Sequence, residues 1–500
     1  MNASLLFRSC VCILLCLVVN PARTRAQESP RIGLVLSGGG AKGLAHIGIL
    51  KSLEEAGITP DFITGTSMGS IIGGLYSIGY SADEIREIAM AADWDRLLSN
   101  KILMDEVVFE EKEYYGRYIY GIGLRGYKPE LQKGLIEGQE LSNLLSSLTR
   151  PVHGVSDFAS LPIPFACVAA DIETGLKVVL DQGSLARSLR ASMAIPTVFT
   201  PVEIDGKLLV DGGLVQNFPV EENLEMGADY IIGVFVGNQL LKKDELDSPL
   251  SVLTQSAFIH SSFNTEIQRD LVDMYIEPDM GPYGPGSFAD AASIIEIGDS
   301  YGQMFLDAFR DLKDSLEHAG WKNRPAVKPE ISDSIYISMI RVRNQQVVNE
   351  KFILNRLGIE NGTWITMSEL EAGIDNLYGT LYFTKILYEI RSVDAGNDLL
   401  IEVAEAPEGQ IRGAIQYDLE TDISLLLNLT YRNLLFGNSR IIMEGEISSN
   451  PVFDLNYLKY FGDRQNQSFI TGYHHRNIGI PLVEDGQKSA IYETNLNLSL

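Results

Sequence analysis

Cysteine is scarce in this 500-residue chain: four in all, with Cys10, Cys12 and Cys16 crowded near the N-terminus. Only Cys167 stands downstream, which excludes an internal disulfide framework for the rest of the chain. Basic residues are also few. Forty Lys and Arg against 66 Asp and Glu leave a net charge of −26, a balance that repels phosphate backbones and excludes nucleic acid as a partner. Long apolar runs are missing. The early block Val11-Cys12-Ile13-Leu14-Leu15-Cys16-Leu17-Val18-Val19 is too short to span a bilayer as a helix. With Arg8 before it and Ala22-Arg23-Thr24-Arg25-Ala26 after it, residues 1–26 read as a secretory signal peptide, so an exported protein is expected. Leu14-Leu15-Cys16 lacks the small residue that precedes a lipoprotein cysteine. Histidine, with six copies, is rare enough to matter below.

Glycine is plentiful, with 46 copies, and clusters where chemistry needs small residues. Gly65-Thr66-Ser67-Met68-Gly69 is a G-x-S-x-G pentapeptide between apolar Phe62-Ile63 and a helix-like run, Ser70-Ile71-Ile72-Gly73-Gly74-Leu75-Tyr76. Strand, sharp turn, helix is the order a nucleophile elbow requires. The turn strains the serine backbone and lifts Oγ above the sheet, while Gly65 and Gly69 let strand and helix pass closely. The plainer alternative is a Gly/Ser-rich helix start that caps itself.

Upstream, Ile32-Gly33-Leu34-Val35-Leu36 has the near-continuous apolar character of a strand in a parallel sheet. It runs into Gly38-Gly39-Gly40-Ala41-Lys42-Gly43 and a helix through Leu44, Ile47, Leu50 and Leu53, with Gly57 as its C-cap. Gly38, Gly40 and Gly43 fit the dinucleotide fingerprint, which also wants an acidic residue ending the second strand. Asp61 precedes that strand instead, which argues against a nucleotide. The other reading is an oxyanion hole of unhindered backbone N–H groups near the helix N-terminus, each donor worth about 3 kcal/mol. Lys42 either adds positive charge there or is a solvated surface lysine.

A serine nucleophile needs a base. Asp211 ends an apolar run, Leu208-Leu209-Val210, and is followed by Gly212 and Gly213, so its carboxylate can stand in an open crevice. Asp205-Gly206 reads as a hairpin turn, and Asp171, at the turn before Ile172-Glu173-Thr174-Gly175, as structural. His46 sits on the helix after the glycine loop and His153 in a loop after Pro151. Neither follows a strand with turn glycines, so a Ser-His-Asp triad is not excluded but has no good candidate.

The blocks Gly38-Gly39-Gly40-Ala41-Lys42-Gly43, Gly65-Thr66-Ser67-Met68-Gly69, Ala191-Ser192-Met193-Ala194-Ile195-Pro196 and Asp211-Gly212-Gly213, in that order, resemble the patatin-like phospholipases over about residues 30–300. The resemblance implies a three-layer α/β/α domain and a Ser–Asp dyad, with Ser67 as nucleophile and Asp211 as general base. It also implies an oxyanion hole at Gly38, Gly39 and Gly40, supported by Lys42, Gly65, Gly69, Gly212 and Gly213, and hydrolysis of phospholipid acyl esters without metal or other cofactor.

The hydrolase-like domain is expected over 27–320, with a linker over 321–332 containing Pro325 and Pro329. The stretch 107–138 is Gly/Tyr-rich, and both a β excursion and a mobile cover over the site fit it. Residues 333–406 read β-α-α-β-β and are similar to a POTRA domain, a periplasmic module placed ahead of outer-membrane barrels; a generic small α+β domain is the alternative. Beyond Pro407, apolar Ile411, Ile415 and Tyr417 interleave with Arg412, Gln416 and Asp418, and Ile441, Met443 and Ile447 with Glu444 and Glu446. Such alternation over 407–500 is the start of an antiparallel outer-membrane β-barrel or a soluble sandwich. Room for about six strands falls short of a closed barrel, so the expectation is a piece of a longer protein, or several chains sharing one barrel. The whole order resembles bacterial autotransporters with a lipase passenger. It predicts an exported serine lipid esterase anchored in the outer membrane, its hydrolase domain periplasmic or on the cell surface. The rivals are a transport or assembly factor with a degenerate recognition module, and a thioesterase or protease on the same dyad.

Overall fold

The computed structural model describes residues 29–499 except 132, 238–239, 241, 244–245, 247–248, 331, 419–421, 449–450, 463–464, 466 and 481–488. The signal-peptide expectation therefore lies outside the described residues. The first region opens with β1 (Ile32–Leu36), α1 (His46–Ala56), β2 (Phe62–Thr66), α2 (Met68–Ser77) and α3 (Ala82–Ala91). The hairpin β3 (Tyr120–Arg125) and β4 (Lys128–Glu130) then leaves this region, before α4 (Gln139–Leu148), β5 (Phe165–Asp171), β6 (Lys177–Leu180) and α5 (Leu185–Ser192). It continues through β7 (Val202–Ile204), β8 (Lys207–Asp211), α6 (Val220–Met226), β9 (Tyr230–Val234), α7 (Pro249–Arg269), β10 (Met274–Ile276) and α8 (Ala291–His318). The sheet order is β10-β9-β1-β2-β5-β8-β7, with β6 paired to β5. The five strands from β10 to β5 run parallel, and β8 and β7 add antiparallel strands at one side.

Both faces of this sheet are covered. Ile32, Leu34 and Leu36 belong to one buried cluster and Val35 to another, because successive side chains of a strand point to opposite faces. That is why β1 reads as a near-continuous apolar run. Local signals end the elements as the sequence requires. Gly57 closes α1 in the left-handed region at φ 76°, and Ser81 with Glu84 forms a capping box on α3. Asp205 and Gly206, at φ 51° and 76°, make the tight turn between β7 and β8.

The second half holds β11 (Ser334–Arg343), α9 (Glu350–Leu357), β12 (Thr363–Thr366), α10 (Met367–Tyr378), β13 (Phe383–Val393) and β14 (Gly396–Glu405). Their sheet order is β12-β11-β14-β13; β12 is a strand the β-α-α-β-β reading omits. Then come β15 (Gly409–Asp418), β16 (Asp422–Arg432), β17 (Ser439–Ile447), β18 (Val452–Phe461), β19 (Gln467–Ile480) and β20 (Ser489–Ser499). These six form an antiparallel meander that does not close on itself among the described residues.

Two stretches take their place through distant contacts. Of the two readings open for 107–138, part of the stretch is a β excursion. β3 pairs with β15 and β4 with β3, extending the last sheet to eight strands. The expected linker is fastened down: Trp321 is buried and its indole N–H donates to Asp61 at 3.1 Å. Asn323 accepts from the Thr59 N–H at 2.8 Å, and the Lys328 ammonium lies 4.2 Å from the Tyr80 ring centre.

Candidate active site

Ser67 stands between the end of β2 and the first residue of α2 with φ 53° and ψ −125°. A non-glycine residue at positive φ is strained by about 1–3 kcal/mol and persists only where the surroundings dictate it. Here the surroundings are steric. A Cβ on Gly65 would lie 2.6 Å from the Gly69 carbonyl oxygen, and one on Gly69 would lie 2.3 Å from that of Leu36. The turn has no room for a side chain on either flank, so the strain concentrates on the serine.

The Ser67 hydroxyl donates to Asp211 Oδ2 at 2.7 Å, and both residues are buried. The other carboxylate oxygen, Oδ1, accepts from the Gly213 N–H at 2.7 Å. A Cβ on Gly212 would sit 2.2 Å from the Val168 carbonyl oxygen, so the chain leaves Asp211 along a path only glycine fits. Burial pushes the Asp211 carboxyl up to about 6, with the bonds from Ser67 and Gly213 opposing. The carboxylate is thus poised near neutral pH, where a general base works best.

The glycine loop lies directly against the serine: a Cβ on Gly38 would be 2.9 Å from that of Ser67. Its donors differ. The Gly38 N–H is taken by the Asn217 carbonyl at 3.2 Å, which narrows the expected set, whereas Gly39 and Gly40 have no backbone acceptor among the described residues. Gly40 adopts φ 58°, and a Cβ there would lie 2.4 Å from the Pro285 carbonyl oxygen. That carbonyl in turn accepts from the Ala41 N–H at 2.8 Å. Lys42 is not a solvated surface residue. It is buried, gives its ammonium to the Gly237 carbonyl at 2.8 Å, and burial lowers its pKa to about 8.

The histidines stand apart. His46 is fully buried and bonds the Ser37 carbonyl at 2.9 Å, with burial lowering its pKa to about 4. His153 is exposed and bonds the Arg150 carbonyl. Asp171 closes its own turn by accepting from the Glu173 N–H and the Thr174 hydroxyl. Two residues escape sequence reasoning. Ser192 accepts the Ser67 N–H at 3.0 Å and donates to the Val168 carbonyl at 2.6 Å. Asn217 brackets the glycine loop, its amide donating to the Gly38 carbonyl at 3.1 Å while its own carbonyl takes the Gly38 N–H. Position within the Ala191-Ser192-Met193-Ala194-Ile195-Pro196 block is the only hint the sequence offers for Ser192, and Asn217 offers none.

Fold and site together define an open α/β domain with a strained, buried serine hydrogen-bonded to a buried aspartate beside a glycine loop. Residues 34–224 match the family model described as patatin-like phospholipase. The chain is 32% identical over 213 residues to an NTE family protein of Mycobacterium bovis, covering 42% of this chain and 51% of that one. It is 27% identical over 317 residues to the lysophospholipase NTE1 of Candida albicans, covering 58% of this chain and 21% of that protein. The chain thus spans about half the length of the first relative and far less of the second. Among solved structures, VipD of Legionella pneumophila aligns over 56% of this chain and 67% of its own at 17% identity and a TM-score of 0.31, too low to carry argument.

Proposed function

We propose that this chain is a serine acyl-ester hydrolase acting on lipid esters, of the phospholipase A type. The observation that carries the reading is the 2.7 Å bond from a strained, buried Ser67 to Asp211; the family match over 34–224 supports the lipid substrate. As Ser67 Oγ attacks the ester carbonyl, its proton passes to Asp211 Oδ2. The carbonyl oxygen becomes an oxyanion facing the Gly39 and Gly40 N–H groups, which cost no reorganisation because packing fixes the loop. Asp211 then protonates the leaving alcohol. Water attacks the acyl-Ser67 ester and gives its proton to Asp211, which returns it to Ser67 Oγ as the acyl–oxygen bond breaks and the acid departs. Ser67→Ala should abolish hydrolysis of a chromogenic acyl ester while leaving the circular dichroism unchanged; retained activity would refute the assignment. A panel of phospholipid, thioester and peptide substrates separates the lipid reading from its thioesterase and protease rivals.

The proposal extends to location: an exported enzyme held at the outer membrane through 407–500, with 333–406 as a POTRA-like spacer. Its support is the side-chain order of the last sheet. Ile415, Leu425 and Ile447 lie in register across three strands and are exposed, while Ser424, Asn428, Thr430 and Glu444 on the other face are buried. Apolar outward and polar inward is the pattern of a lipid-facing barrel wall. A membrane made of the substrate would then sit beside the enzyme. Flotation of the full chain with outer-membrane vesicles tests this; recovery in the soluble fraction after signal-peptide removal would overturn it.

A further inference from the structure

Helix α5 carries two groups of side chains that serve different places. At its end Ser192 holds the Ser67 N–H. Earlier, Arg187 and Arg190 line a cavity of about 160 Å³ whose far wall is built by β13 and β14. That is roughly ten times the space one water needs. The cations on the wall are Arg187, Arg190 and Lys385. Arg187 is engaged, bonding Glu402 at 2.8 Å and the Glu203 carbonyl at 3.0 Å. Of the other carboxylates lining the space, Glu389 is paired with Arg391 and Glu203 lies on an exposed position. Lys385 reaches the Thr200 hydroxyl at 2.8 Å and stands 3.5 Å from Glu137.

Arg190 differs from both. It is only 4% exposed, packs over the Phe199 ring at 4.8 Å, and gives Nη2 to the carbonyls of Glu137 and Thr200 at 3.2 and 3.5 Å. Its Nε and Nη1 have no hydrogen-bond partner among the described residues. A buried guanidinium with idle donors is costly, and the planar fork is suited to oxyanions, phosphate above all. We propose that this cavity binds a phosphate-class oxyanion through Arg190 and Lys385, and that occupancy is transmitted along α5 to Ser67. The binding half stands alone; the transmission half rests on the reading of Ser67 given above. The route is short. Ser192, two residues beyond Arg190, fixes the Ser67 backbone, and the Asp211 N–H bonds the Ala194 carbonyl at 2.9 Å just past the same helix.

Isothermal titration of the full chain with inorganic phosphate, and separately with glycerol phosphate, tests the site. One saturable site is expected, weakened about tenfold or more in Lys385→Met and lost in Arg190→Met; should the second variant fail to fold, the first carries the test. No saturable binding by the folded chain, or wild-type affinity in Lys385→Met, overturns the site. Tighter binding of glycerol phosphate supports the site and identifies a lipid-derived headgroup, and equal affinity supports it and identifies the free ion. Saturating phosphate should change the rate at which a fluorophosphonate labels Ser67 by about fivefold in the wild type and not in Lys385→Met. An unchanged rate with binding intact overturns the transmission alone. Absence of any labelling defeats the reading of Ser67, and the titration still decides the site.

Discussion

The two large sheets follow the same alternation rule and differ in what they hide. In the first, both faces of β1 are apolar and both are buried, Ile32, Leu34 and Leu36 on one side and Val35 on the other. In the last sheet one face is covered, and it is the polar one. Arg412, Asn428, Glu444, Asp454 and His474 lie in register across five strands. Near this row Glu111 forms a buried ion pair with Arg440, and Arg117 and Tyr118 bond Glu444. Tyr114 packs there with Ile442, Leu458 and Tyr460. The opposite face, including Ile415, Ile423, Leu425 and Leu427, is left exposed. A period of two fixes which residues share a face, and what packs against the sheet fixes which face is hidden.

Substitutions on the two sheets should act differently. The largest effect belongs to the first sheet's site: Asp211→Asn should lower kcat by about 10²–10⁴, read with a chromogenic ester, and its stability should not fall. The sign follows from the raised carboxyl pKa. Neutral Asp211 is the form the fold favours, so its stabilising contribution is present at low pH and fades as pH rises through about 6; asparagine avoids that penalty. On the last sheet, Glu111→Ala strands a buried Arg440 and should cost about 3–5 kcal/mol, measured by chemical denaturation. Leu425→Lys separates lipid from water: about 2–4 kcal/mol lost if that face meets hydrocarbon, and within about 0.5 kcal/mol if it meets water. Refolding into vesicles against refolding in buffer gives the comparison. The smallest effect needs no mutation. Hydrolysis should fall about tenfold per pH unit below about 6 as Asp211 protonates; a flat profile from pH 4 to 7 would contradict the base assignment.

The elbow was legible because its determinants are local: an apolar strand, a pentapeptide with two obligatory glycines, and a helix. Asp211 at a strand end before Gly212 and Gly213 was readable for the same reason. What escaped depends on contacts far apart in the chain. Ser192 reaches Ser67 across 125 positions, and nothing beside Lys42 announces that the Gly237 carbonyl will bury it. The pairing of β3 with β15 joins residues near 122 to residues near 411, which no periodicity marks. Strand β12 passes straight into α10 without a turn residue between them, and so left no boundary. Helix α7 was blurred by inverted burial: Ser261, Thr265 and Gln268 are buried while Ile259, Phe263 and Ile267 are exposed, the reverse of the aqueous amphipathic pattern.

The proposed chemistry depends on one bond, from Ser67 to Asp211. Its most direct test is to expose the full chain and its Asp211→Asn variant to a fluorophosphonate and locate the adduct by mass spectrometry. Stoichiometric modification at Ser67 is expected in the wild type, with labelling slowed about a hundredfold or more in the variant. Modification at another residue, or equal rates in the two proteins, would contradict it.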